Sequence, residues 1–414
     1  MQFKQYPSYK NSGVEWLGDV PDEWDIYPFW HLFNRKEITN KTQEQLLSVY
    51  LGRGVILHSE GGGMVHKPAD NLEKYQLVEV NDFVMNNQQA WRGSVGVSPY
   101  KGIVSPAYLI FSFNKKICAP KFFKYFLRDK GVVDQFMIAS MSVGTIQRQV
   151  KWHLLKTIQL SIPSLIEQNT IANFLDTETA RIDNLIAKQE KLIELLEEQR
   201  KSIISHAVTK GLDPNAPMKD SGVEWLGDVP SHWRTSSIKY VCNIDTGNQD
   251  TVDALEDGKY PFFVRSKKIE KINEYSFDGE AVLTAGDGAG VGKIYHYING
   301  KFGFHQRVYK MSNFKNILGK FFFFYFSSLF EKVALDGGAK STVDSLRKAH
   351  FDRFIITIPE INEQFRIIEY IEHKTYKIDG LISKQKTLIE KLKEYRTSII
   401  SHAVTGKIDV REFC

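Results

Sequence analysis

A chain of 414 residues that is 42% hydrophobic and 25% charged, with a net charge of +5, reads as a folded soluble protein with room for two to four domains. Its three cysteines, Cys118, Cys242 and Cys414, are too few and too scattered for a disulfide framework or a CxxC metal site, which points to a reducing cytoplasm. No basic, apolar and small-residue succession opens the sequence, so no signal peptide is expected, and the longest apolar run, "FFFFYFSSLF" at Phe321–Phe330, is too short to cross a bilayer and reads as a buried helix or strand.

Residues 1–24 form a proximal motif whose core, "SGVEWLGDVP" at 12–21, returns unchanged at 221–230. A first variable segment, residues 25–161, follows it. Aromatics, glycines and alternating apolar runs such as "GIVSPAYLIFSF" predict strands with some helix there. Residues 162–212 predict one long helix ended by Gly211 and Pro214. The repeated proximal motif and its linker occupy 213–233, and a second variable segment spans 234–357, with strand-like text such as "FGFHQRVYKM". A second long helix is predicted over 358–408, ended by Gly406, before a short tail at 409–414.

Residues 162–213 align without a gap to 358–409, with about half the positions identical, among them "EQ", "KQ", "LIE" and "SIISHAVT". The variable segments resemble each other only faintly, "NDFVMNNQQAWRGSVGV" beside "DGEAVLTAGDGAGVGKI" being the clearest echo. In the first helix a three-four spacing from Ile182 runs through Leu185, Gln189, Leu192, Leu196, Gln199 and Ile203. In the second it runs from Ile378 through Leu381, Gln385, Leu388, Leu392 and Tyr395 to Ile399. Some 40 residues make a rod roughly 60 Å long at about 1.5 Å per residue. An apolar seam needs a partner, and two such rods satisfy each other as an antiparallel coiled coil if the halves are related by a pseudo-two-fold axis. Gln189 and Gln385 then either face each other and fix register or lie at the wet edge of the seam; Leu192, Leu388, Leu196 and Leu392 complete the expected register set.

Charge follows the variable text. Residues 25–160 hold 17 Lys and Arg against 10 Asp and Glu, and residues 234–357 hold 18 against 14, so helices and junctions carry the negative remainder. That partition suits two globular regions that touch a polyanion and a connector that does not. Catalytic signatures are missing. "GDGAGVGK" at 286–293 lacks the phosphate-loop pattern, because Asp287 and Ile294 stand where glycine and Ser or Thr are required, and it reads as a glycine turn between strands. No HExxH, GxSxG, nucleotide-binding GxGxxG or paired Cys/His spacing occurs, so no catalytic residue, bound cofactor or metal is expected in this chain.

The proximal "SGVEWLGDVPDEW" and "SGVEWLGDVPSHW", the "IP…EQ" entries into the helices and the closing "SIISHAVTKGLDP" and "SIISHAVTGKIDV" together resemble the specificity subunit of type I restriction-modification systems over nearly the whole chain. The resemblance implies a mixed α/β (α+β) fold with an internal repeat, in which two target recognition domains are joined by two helices that form an antiparallel spacer. It also implies that each domain reads one half of a split, asymmetric sequence in double-stranded DNA. The partners it implies are modification subunits that use S-adenosylmethionine to methylate adenine and restriction subunits that use ATP and Mg. Amide and cationic side chains suited to base edges and phosphates are Asn86, Asn87, Gln88, Gln89, Arg92 and Lys101 in the first segment. In the second they are Arg265, Lys267, Lys268, His305, Gln306 and Arg307. Trp16, Trp24, Trp225 and Trp233, being repeated, are expected to anchor the domains on the frame rather than to distinguish half-sites. A protein-assembly scaffold, with two interaction domains on a coiled-coil rod, explains the repeats equally well but leaves the charge partition unexplained.

Overall fold

The computed structural model describes residues 3–64, 68–143, 147–334 and 345–413. The chain forms two compact units, Met1–Lys188 with Leu388–Cys414, and Gln189–Thr387. Two long helices, α1 (Leu165–Lys210) and α2 (Ile361–Val404), each contribute one part to each unit. Their ends are set by backbone geometry. Gly211 and Gly406 adopt the left-handed conformation with φ of 74° and 73°, which a side chain would resist. Each also lies against the repeated motif: a Cβ on Gly406 would meet Pro21 at 2.6 Å, and one on Gly211 would meet Trp233 at 3.3 Å.

In the first unit, β1 (Asp25–Pro28) pairs with β6 (Gln159–Ile162), closing the variable segment on itself. Between them β2 (Phe33–Lys36), β3 (Phe83–Asn86), β4 (Val95–Val97) and β5 (Tyr108–Phe113) form an antiparallel sheet in the order β2-β5-β3-β4. Phe29, Phe33, Phe83 and Phe111 build the core behind it, joined by Ile171, Leu175 and Ile182 of α1 and by Ile399, Ala403 and Val404 of α2. The α1 and α2 segments run antiparallel, since Asp183 pairs with Arg396.

In the second unit, β7 (Arg234–Ser237) pairs with β14 (Ile355–Ile358) in the same way. A larger sheet lies between: β8 (Asn243–Thr246), β9 (Tyr260–Phe263), β10 (Glu270–Ile272), β11 (Phe277–Ala285), β12 (Tyr295–Phe304) and β13 (Val308–Ser312) in the order β8-β13-β11-β12-β9-β10. The pair β9 and β12 is parallel and its neighbours antiparallel. The phenylalanine-rich run is a helix, Gly319–Ala334, whose Phe321, Phe322, Phe326 and Phe330 are buried together with Ile204, Ala207 and Val208 of α1 and Ile367, Ile368 and Ile371 of α2. Here Arg200 Nε approaches Asp379 Oδ1 to 3.0 Å, an electrostatic contact without hydrogen-bond alignment. Asp183 and Asp379 occupy equivalent positions of the repeated helix, as do Arg200 and Arg396, so each unit makes the same ion pair.

The seam differs from its expected course at every second position. Ile182, Leu196, Ile378, Leu392 and Ile399 face inward as expected, but the intervening positions are Ile186, Ile193, Ile382 and Ile389. Leu192 and Leu388 are 39% and 40% exposed, and Leu381 and Tyr395 are also on the surface. Both courses alternate three and four residues and both offer apolar side chains, so periodicity alone does not separate them. The observed one places Arg200 and Arg396 at the seam edge, within reach of Asp379 and Asp183. It also removes the glutamine pair: continuing the register of Arg200 and Asp379 brings Gln385 opposite Glu194, more than a turn from Gln189.

Candidate nucleic-acid interface

Two glutamines seat each variable segment on its helix. Gln168, fully buried, donates from Nε2 to the carbonyls of Ile117 (2.7 Å) and Pro163 (2.8 Å), and its Oε1 accepts from the Ala119 N–H (2.7 Å). Gln364, its equivalent, accepts from the Leu318 N–H (2.8 Å) and donates to Pro359 O (2.9 Å) and Asn316 O (3.4 Å). The preceding glutamates diverge. Glu167 accepts from Tyr6 OH (2.6 Å) and Trp24 Nε1 (3.0 Å), whereas Glu363 pairs with His232 (2.9 Å) and Trp233 Nε1 is buried with no partner among the described residues. Asn215 stands where the first copy has Tyr6, so the second copy lacks the phenol that positions the glutamate. Trp16 packs beside Gly131 and Trp225 stacks on Phe354 at 5.5 Å, so all four repeated tryptophans lie against the unit that they enter.

In the first unit the run Asn86–Arg92 leaves β3 as a tight turn. Asn86 Oδ1 accepts from the Gln88 N–H (3.1 Å), and the main chain of Asn87 is held by Ala107 and Val150. The Asn87 Oδ1 is buried with no partner among the described residues. Asn86, Gln88 and Gln89 line a cavity of about 530 Å³ together with Ser48, His58 and Tyr108 and with apolar side chains such as Leu46, Val49 and Leu51, so the amides gather around one concave surface of mixed polar and apolar character. Arg92 lies outside it with its guanidinium 4.7 Å over the Trp91 ring. Lys101 is not an unpaired cation: it lies 3.1 Å from Glu44 and 3.8 Å from Glu79, and the Glu44 contact pushes its ammonium above the ordinary lysine range.

In the second unit the turns after β9, β11 and β12 meet. Arg265 and Arg307 each donate from Nη1 to a different oxygen of Asp287, both at 2.8 Å, and remain 41% and 59% exposed. Partial burial pushes the Asp287 carboxyl up, but the two arginines outweigh it and hold the group below the usual carboxylate range. Gln306 donates to Asp250 (2.7 Å). His305 departs from its expected role as a base reader. It is 3% exposed, its Nδ1 accepts from the Arg307 N–H, and burial pushes its imidazole below the ordinary value, so it supports the turn from inside. Lys268 pairs with Glu270 at 3.1 Å, while Lys267 is exposed and has no ion pair among the described residues.

The structure thus brings Asn86, Gln88 and Gln89 together, and separately Arg265, Gln306 and Arg307. Sequence reasoning missed the carboxylates Glu44, Glu79 and Asp287 that offset Lys101, Arg265 and Arg307, and Asp250 that holds Gln306, because their partners are distant in the chain. Among the described residues no group of three or more His, Cys, Asp or Glu is placed to hold a metal ion, and no helix is long and apolar enough to cross a membrane.

Two unlike sheet domains held by equivalent residues of a duplicated helical frame define a doubled architecture, one repeated frame with two different inserts. Residues 230–391 match the family model "Type I restriction modification DNA specificity domain". The chain is 28% identical over 182 residues to the Type I restriction enzyme EcoDI specificity subunit of Escherichia coli, a match covering 44% of this chain and 40% of that one. It is 24% identical over 444 residues to the Type I restriction enzyme MjaVIII specificity subunit of Methanocaldococcus jannaschii, covering 99% and 98%. Its fold is shared with a chain solved in work on complex assembly and conformational transition of the type I R-M system, at a TM-score of 0.69 and 15% identity, covering 93% of this chain and 98% of that one. Over residues 230–391 the chain is similar to the type I restriction modification DNA specificity domain, and along nearly its whole length it is similar to type I restriction enzyme specificity subunits.

Proposed function

We propose that this chain is the non-catalytic DNA reader of a type I restriction-modification complex in the cytoplasm. Residues 25–161 and 234–357 each read one half of a bipartite, asymmetric target, and α1 and α2 set the gap between the half-sites and dock the modification subunits. Adenine methylation with S-adenosylmethionine, and restriction with ATP and Mg, belong to partner subunits. One observation carries this reading: ion pairs and glutamine contacts of the frame recur at equivalent positions, as in Asp183–Arg396 and Asp379–Arg200 and in Gln168 and Gln364, while the sheets they hold differ in strand number and order. Identical frames with unlike inserts suit a task that requires two different sequences to be read from equivalent positions.

In the first unit the reading groups are the amides of Asn86, Gln88 and Gln89, which suit adenine, with Arg92 beside them. In the second they are Arg265, Gln306 and Arg307, with Lys267 on phosphate. The test is methylome sequencing of the host with and without this gene. A split adenine-methylation motif that vanishes on deletion is the expected result. Methylation that is unchanged by deletion, or binding to mixed DNA by the assembled complex that stays flat between low and moderate salt, would favour the assembly scaffold instead.

A further inference from the structure

The glycine-rich run 286–290, which has no role as a phosphate loop, is built around two arginines. Gly286 lies so close to the Arg307 carbonyl that a Cβ would stand 2.8 Å from that oxygen, and its own N–H donates to it at 2.8 Å. Gly290 approaches the Arg265 carbonyl equally closely, a Cβ there also falling 2.8 Å away. Between these two backbone contacts sits Asp287, only 13% exposed, with one carboxylate oxygen on each guanidinium. Backbone and side chain therefore fix the same two residues, which come from separate turns of the sheet.

We propose that the turn 286–290 is a positioning device for a pair of guanine-reading arginines, with Asp287 orienting Arg265 and Arg307 toward the O6 and N7 acceptors of guanine in the half-site read by the second unit. This rests on the DNA-reading function proposed above. Three physical consequences support base reading over phosphate holding. Each arginine spends one of five N–H donors on Asp287 and keeps the others for a bidentate contact. A guanidinium already held in place loses less side-chain freedom on binding. The central carboxylate lowers the net charge of the three groups from +2 to +1 and repels a phosphate at that point, so attraction that ignores sequence is weakened. Asp287 is thus a positioning residue that acts through the arginines.

The experiment uses the complete complex of this chain with its modification subunits, comparing wild type with Asp287→Asn and Asp287→Glu. Measurements are affinity for the methylated motif's own DNA, for the same DNA with each guanine of the second-unit half-site replaced, and for unrelated DNA, across a salt series. In Asp287→Asn, affinity for unrelated DNA rises, and the slope of log affinity against log salt steepens by about 0.9 because one more phosphate is neutralised. Discrimination against guanine replacement falls about tenfold in that half-site alone. Asp287→Glu, which keeps the charge, restores the wild-type salt slope. Asp287→Asn with wild-type discrimination, or with losses that are equal in both half-sites and accompanied by a lower melting temperature, would overturn the proposal. A wild-type complex that discriminates neither half-site would overturn the DNA-reading function itself, a result distinguishable from the other two.

Discussion

Replacing Gln168 by alanine tests how a variable segment is seated on the helical frame. The side chain is fully buried and makes three hydrogen bonds, to the carbonyls of Ile117 and Pro163 and from the N–H of Ala119, all between 2.7 and 2.8 Å. Alanine leaves two carbonyls and one N–H facing a void. Each buried group left unpaired costs about 1–3 kcal/mol, so the lower bound for three is about 3 kcal/mol before any loss of packing. At about 1.4 kcal/mol per tenfold change, local opening becomes about a hundredfold more frequent. Amide hydrogen exchange in the full chain reads this directly, because the Ala119 N–H is itself one of the three groups. Exchange at Ala119 is expected to accelerate about a hundredfold in Gln168→Ala. Exchange at Leu318, held by Gln364 in the other unit, should stay at its wild-type rate, and Gln364→Ala should reverse the pattern. An acceleration below about threefold at Ala119 would refute the clamp, since the three bonds would then contribute almost nothing.

The seam register predicts that Ile382→Ala destabilises the second unit by about 2–4 kcal/mol while Leu381→Ala, at an exposed position, changes it by less than about 0.5 kcal/mol, as read by urea denaturation. The opposite ranking would restore the register expected from spacing alone. His296 and His305 are both pushed by burial below their ordinary value of 6.5, so the unfolded chain binds more protons than the folded one as pH drops through that value. Stability of the second unit is therefore level above about pH 7 and declines as pH falls from about 6.5, and His305→Gln should reduce that decline; thermal unfolding from pH 8 to 5 checks both. Removing the hydroxyl in Tyr6→Phe takes a donor from the buried Glu167, and should cost the first unit about 1.5–3 kcal/mol in chemical denaturation, with no effect on exchange at Leu318.

The parts of the fold that the sequence discloses are those written twice. Two helices with paired stops at Gly211 and Gly406 are legible because the repeats share their apolar period and their terminators. The seam is only half legible: Leu192 and Ile193, like Leu388 and Ile389, are adjacent apolar residues that spacing alone does not separate, and the register with Ile193 and Ile389 inside is the one that brings Arg200 and Arg396 to Asp379 and Asp183. Repetition also conceals differences. Trp24 and Trp233 both stand three residues after the repeated "SGVEWLGDVP", yet among the described residues only Trp24 Nε1 finds a hydrogen-bond acceptor: Tyr6 and Trp24 converge on Glu167 in one copy, whereas in the other Asn215 replaces that tyrosine and His232 pairs with Glu363. In the variable segments, composition identifies candidate amides and cations but not their carboxylate partners. Lys101 meets Glu44 and Glu79, and Arg265 and Arg307 meet Asp287, through turns whose meeting depends on strand order.

The way the frame grips its inserts explains how one can be repeated while the other varies. Gln168 and Gln364 belong to the duplicated text, but what they hold in the variable segments is main chain: the carbonyl of Ile117 and N–H of Ala119 in one, the carbonyl of Asn316 and N–H of Leu318 in the other. Both N–H groups stand at the start of a helix, Pro120–Phe126 in the first unit and Gly319–Ala334 in the second, where the backbone has donors that the helix itself does not satisfy. A glutamine presents one acceptor and two donors, so it can satisfy a helix entry and the carbonyl before it at once, whatever side chains the loop carries. The frame thus asks only for a loop that enters a helix at a fixed place. Everything beyond that loop, including the amides around the first unit's cavity and the arginines on Asp287, is free to differ between the two inserts without loosening the grip.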